Sequence, residues 1–166
     1  MAFGEKSSSG SMFGPNTKVF YAKLKTKDLP APVWEIAKKD GDNFVVVDPA
    51  AKFVSGNVVA LQNKETKFEK KTIKSVTVVL FDPKEDMAIY AGVPHTYLGR
   101  NILNSLLSLK TFNGVEIGVY QSKPKPDLKN PGKMRPGYAS SAVRQGGQLV
   151  YGKFKNEELP KIPNVS

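Results

Sequence analysis

The chain has 166 residues and a formal charge of +10, from 25 Lys+Arg against 15 Asp+Glu, with one His and no Cys. The lack of cysteine excludes disulfide frameworks, thiolate zinc sites, iron–sulfur clusters and cysteine nucleophiles, and a single His removes most imidazole-based metal sites. With 40% hydrophobic and 10% aromatic residues the chain can bury one core, and its length suits a single domain, expected over 17–166.

Residues 1–16 are Ser/Gly-rich without periodicity and read as a flexible arm. No apolar stretch approaches the roughly 18 residues of a membrane span, and the start carries no leader pattern, so a soluble, cytoplasmic protein without membrane contact is expected. From Lys18 onward the dominant period is two. KVFYAKLKTK, VWEIAKK, NFVVVD, SGNVVALQN, TKFEKKTIKSVTVVLFD and MAIYAG alternate or run in β-branched and aromatic residues, and so do GVEIGVYQS, YASSAVRQ and QLVYGKF further on. Turn formers separate them at Asp40–Asn43, Asn63–Thr66, Asp82–Asp86 and Gln145–Gln148.

One segment breaks this pattern. In HTYLGRNILNSLLSLK, Leu98, Ile102, Leu106 and Leu109 recur at three- and four-residue steps, widened by Leu103 and Leu107, which predicts one amphipathic helix over about 97–109 with Thr96 as N-cap. Several strands, one helix and further strands predict a mainly β fold: an OB-fold-like small antiparallel barrel plugged by one helix.

Enzyme signatures are absent: no GxxxxGK[ST], GxGxxG, GxSxG or HExxH occurs. The lone His95 reads as a surface or capping residue. Asp82, Glu85 and Asp86, like Asp40 and Asp42, read as solvated turns and not as cation ligands. No enzymatic activity, metal or other cofactor is expected.

The positive charge is uneven. Lys/Arg minus Asp/Glu is +4 over 17–27, +4 over 51–75 and +7 over 121–155, but −3 over 28–50. Basic stretches interleaved with aromatics suit single-stranded nucleic acid, whose bases stack on rings while cations track the phosphates. On the strand from Lys18, Phe20, Ala22 and Leu24 belong to a core face, whereas Tyr21 shares the other face with Lys23, Lys25 and Lys27. Phe68 beside Lys70 and Trp34 beside Ile36 are further stacking candidates, each with a place in the core as the alternative. SKPKPDLKNPGKMRPGYASSAVRQGG must form a long basic loop, because its prolines and glycines forbid a helix or central strand. Beyond it, Tyr138 shares a face with Arg144, and Tyr151 with Lys153.

RNILNSLLSL, then GVEIGVY, a basic Lys/Pro loop, YASSAVRQGGQLVYGKF and EELPKI resemble the C-terminal half of phage-encoded single-stranded-DNA-binding proteins with an OB-fold core, over residues 97–162. The resemblance implies sequence-tolerant binding of single-stranded DNA in phage replication or recombination, without catalysis, in the host cytoplasm. Replication binders of this kind often end in an acidic tail that recruits replication proteins, whereas this chain ends LPKIPNVS. The expected stacking residues are Tyr21, Trp34, Phe68, Tyr138 and Tyr151, and the expected phosphate contacts are Lys23, Lys25, Lys70, Arg100, Lys123, Lys125, Arg135, Arg144 and Lys153. An RNA-binding or RNA-chaperone protein on the same fold, and a structural or assembly protein touching nucleic acid, are the alternatives.

Overall fold

The computed structural model describes residues 13–153, leaving aside the side chains of Thr66, Phe68 and Ile73. Its elements in chain order are β1 (Lys18–Lys25), β2 (Val33–Asp40), β3 (Asn43–Ala51), β4 (Phe53–Phe68), β5 (Lys71–Asp82) and β6 (Met87–Pro94), then α1 (Tyr97–Leu107). There follow β7 (Val115–Gln121), β8 (Lys125–Pro126), β9 (Met134–Arg135), β10 (Ala139–Gln145) and β11 (Gln148–Leu149). The fold is mainly β with one helix. None of the helical structure among the described residues is long and apolar enough to cross a membrane.

The main sheet runs β11-β10-β7-β4-β5-β6-β1-β2-β3, and β8 and β9 form a separate pair. Two features depart from a closed antiparallel barrel. β1 pairs with β6 in parallel, with Tyr21 opposite Tyr90, because the four strands between them supply the long connection that parallel neighbours need. The ladder also stays open, ending at β11 and β3. It curls nonetheless: Trp34 on β2 donates its indole Nε1–H to the Ile117 carbonyl on β7 at 3.2 Å. The bond thus joins two strands that the ladder itself does not pair.

The curl depends on β4, which pairs first with β7 and then, after Gly56, with β5. Gly56 has φ +149°, and a Cβ there would stand 3.1 Å from the Phe81 backbone. β4 then continues through Asn63–Thr66, where a turn is expected from composition. The turn falls instead at Glu69-Lys70, with Phe68 opposite Lys71 and Glu69 at φ 56°. Pairing with β5 from Asn57 to Phe68 outweighs four polar turn formers, because each added ladder position satisfies backbone groups that a turn would leave to solvent. The expected turns at Gly41-Asp42 and Gly146-Gly147 do form, with both glycines of the second at positive φ.

Inside the curl, Trp34, Val54, Val78, Leu80, Ile102, Leu106, Ile117 and Val143 are fully buried. Each such side chain contributes about 1.5–3 kcal/mol relative to exposure. The helix lays Leu98, Ile102, Leu103 and Leu106 on this core. Its start is fixed by Thr96, whose Oγ1 accepts from the Gly99 N–H at 3.1 Å. Gly99 is required there, since a Cβ would collide with the Pro94 carbonyl.

The outer face carries a second, smaller apolar layer. Alternation points Val79 and Ala88 away from the main core, yet both are fully buried. Beside them rings run in a row: Phe13 stacks on Phe81 at 5.1 Å and meets Tyr90 at 6.3 Å, and Tyr21 lies 5.6 Å from Tyr90 and 5.3 Å from Phe44. Of the arm expected over 1–16, residues 1–12 lie outside the described residues, while Phe13 is held by this row.

Candidate nucleic-acid interface

β7 and β10 build the floor of the site. Val115, Ile117 and Val119 face the core, so Glu116, Gly118 and Tyr120 face out, and the register sets Ser140, Ala142 and Arg144 beside them. On the other side, Phe53 of β4 lies opposite Gly118. The result is a strip of small residues bordered by rings: Phe53, Tyr120 and Tyr138, with Tyr97 from the helix start and Tyr151 from the segment after β11. Together they line a groove of about 700 Å³ that also includes Lys52 and Arg144.

All five rings are substantially open to solvent, at 52% for Phe53, 63% for Tyr97, 49% for Tyr120, 59% for Tyr138 and 74% for Tyr151. Large apolar surfaces left unburied around one groove are characteristic of a binding site. Tyr97 and Tyr138 stand edge to face and border a second groove of about 510 Å³, which runs towards the end of β1 at Leu24 and Thr26. Lys25 and Lys27 are exposed on either side of Thr26. The two grooves therefore share a tyrosine ridge.

The backbone holds Tyr138 firmly. Ser122 donates its N–H to the Tyr138 carbonyl, and its Oγ accepts the Tyr138 N–H, both at 2.9 Å. The end of the groove is tied to the helix, where the Lys153 N–H donates to Ser108 Oγ at 2.9 Å. Arg144 reaches Glu116 at 3.8 Å, an exposed and long contact that leaves most of its guanidinium donors available.

The structure distributes the sequence-predicted residues unequally. Tyr138, Tyr151 and Arg144 line the main groove, and Lys153 follows directly after it. Lys123, Lys125 and Arg135 are exposed on the neighbouring β8–β9 excursion. Arg100 is half-buried on α1 and lines neither groove.

Tyr21 is half-buried in the outer aromatic row, away from these grooves, with Lys23 exposed beside it and Lys25 ion-paired to Glu35 at 2.9 Å. Burial, with Tyr21 adding to it, raises the Tyr90 phenol above its ordinary pKa. Trp34 takes the alternative place: it is wholly in the core and presents no ring face to a base. Lys70 occupies the β4–β5 turn, which breaks the strand face assigned to it with Phe68. The Phe68 side chain lies outside the described residues.

Phe53, Tyr97, Tyr120 and Lys52 are absent from the sequence-derived set. Tyr120 was detectable, because it falls out of phase with Val115, Ile117 and Val119. Tyr97 lies outside the stripe of Leu98 and Ile102 for the same reason.

Of the acidic groups read as turn residues, Asp82 bonds within its turn and Asp86 ties that turn to the residue before β1. Asp82 Oδ1 accepts the Lys84 N–H at 2.9 Å, and Asp86 Oδ1 accepts the Thr17 hydroxyl at 2.7 Å. Among the described residues no three His, Cys, Asp or Glu side chains are grouped to hold a metal ion. No protein-family model, curated protein or solved structure matches the chain.

Proposed function

We propose that the protein binds single-stranded DNA without strong sequence preference, laying bases against Tyr97, Tyr120, Tyr138, Tyr151 and Phe53 and phosphates against Lys52, Arg144, Lys153 and the cations of the β8–β9 excursion. The observation that carries this reading is the set of five open rings around one groove with a small-residue floor, in a chain of charge +10. Every base has a π face, so rings give affinity without selecting sequence, and cations follow the backbone. The resemblance over 97–162 supports the same reading and extends it to a role in phage DNA replication.

Fluorescence titration with oligo(dT) tests it. Affinity should fall at least about tenfold between roughly 50 and 200 mM salt. Absence of binding at low salt would overturn the reading, and equal or tighter affinity for duplex DNA would replace it with an architectural role. Competition between oligo(dT) and oligo(U) decides between DNA and RNA.

A further inference from the structure

The basic excursion between Tyr120 and Tyr138 is not a slack loop. β8 and β9 pair Lys125 with Arg135 and Pro126 with Met134, and the tip is closed by Asp127 N–H to the Lys133 carbonyl at 2.9 Å. Both carboxylate oxygens of Asp127 are used within the tip: Oδ1 accepts the Lys129 N–H and Oδ2 accepts from the Asn130 side-chain amide, each at 3.0 Å. The one acid of the hairpin is thus spent within its own tip, while Lys125, Lys129, Lys133 and Arg135 remain exposed.

Next to Asp127, this frame holds Leu128 out at 93% exposure, the highest of any large apolar side chain among the described residues. The base of the hairpin is equally fixed. Gly137 packs against the Ser122 carbonyl where a Cβ would collide, and Ser122 holds Tyr138 by the pair of hydrogen bonds described above.

An apolar side chain held in water at the tip of a cationic hairpin gains nothing for the fold. The same arrangement suits a wedge, in which cations grip phosphates and an apolar residue enters a base step and unstacks it. We propose that the β8–β9 hairpin destabilises duplex DNA at a single-strand/double-strand junction. Leu128 inserts at the first paired step, and the freed strand passes to Tyr138 at the hairpin base. This rests on the reading of the groove as a single-strand interface and adds a duplex-directed activity to it.

The test uses the full chain and a DNA fork with an oligo(dT) arm and 2-aminopurine at the first paired position. The wild type should raise 2-aminopurine fluorescence on binding. Leu128→Ala, an exposed change, should keep oligo(dT) affinity within about twofold yet lose most of that rise. Leu128→Phe, which retains apolar bulk, should preserve it. A wild-type rise from Leu128→Ala, a parallel loss of oligo(dT) affinity in that variant, or wild-type binding without any rise would each overturn the wedge. Failure of the wild type to bind oligo(dT) at all would instead remove the groove reading on which it stands.

Discussion

Tyr97 and Tyr138 meet edge to face with ring centroids 6.4 Å apart and an interplanar angle of 82°. One is the first residue of the helix and the other precedes β10, so the contact joins α1 to the sheet at the ridge between the two grooves. Replacing either by Ala should weaken oligo(dT) binding by about 1–3 kcal/mol, the usual worth of one stacked base. The double variant should lose less than the sum, because each ring orients the other. Fluorescence titration of both singles and the double checks this; full additivity would mean that the rings act independently.

Arg144 and Glu116 sit 3.8 Å apart on the groove floor. A carboxylate there repels phosphate and competes for the guanidinium, so Glu116→Gln should tighten oligo(dT) binding at low salt. Arg144→Ala should reduce the slope of log affinity against log salt by roughly 0.7, one phosphate contact on a single strand. An unchanged slope would place Arg144 outside the path of the backbone.

Alternation and turn chemistry made much of this fold readable. The helix, its Thr96 cap and the Gly41-Asp42 and Gly146-Gly147 turns follow from local residue choice, and so does the core face of β1. What escaped is set by partners distant in the chain. The unbroken course of β4 through Asn63–Thr66 depends on β5, and the parallel β1–β6 pairing depends on where the intervening strands return the chain. The site shares this property in part, since Phe53 and Tyr97 join it from separate segments, whereas Tyr138 and Tyr151 were among the expected stacking residues. Trp34 shows the converse difficulty: a ring with Ile36 as its same-face neighbour fits a core or a stacking surface equally well, until the carbonyl of Ile117 supplies its partner.

Trp34 is the only tryptophan and has no solvent exposure. Its emission should therefore be blue-shifted, resistant to acrylamide, and little altered by oligo(dT), with the binding signal arising from tyrosine. Trp34→Ala should cost about 3–5 kcal/mol of stability, as expected for emptying a large core site. Denaturant unfolding followed by circular dichroism measures the loss. Strong quenching of Trp34 by oligo(dT) would contradict its place in the core.

Hydrogen bonds from the Asn130 side chain and the Lys129 N–H lower the pKa of Asp127 below its ordinary value. A carboxylate with a lowered pKa in the folded tip orders that tip above the ordinary carboxylate range, and the ordering is lost as pH falls through the lowered value. The Lys129 and Asn130 amide resonances should keep their positions down to mildly acidic pH and move towards random-coil values only below the ordinary carboxylate range. Asp127→Asn should remove that pH dependence, and an Asp127 titration at or above the ordinary value would show that the tip is not held by its carboxylate.

Gly56 lets β4 change partners. With φ at +149°, and a Cβ that would lie 3.1 Å from the Phe81 N and O atoms and 3.2 Å from Leu80 Cβ, any side chain there is strained both by its own backbone and by β5. Neither neighbour can yield, because Phe81 is in the ladder opposite Ala88, and Leu80 is fully buried. Gly56→Ala should therefore destabilise the protein by about 1–3 kcal/mol. Gly41→Ala shares only the positive φ, with nothing within 4 Å of the added carbon, and should cost less. Thermal melts of the two variants side by side separate the crowding against β5 from the backbone cost alone. Equal losses would mean that β4 and β5 can part at this point without penalty, which the curl of the sheet does not allow.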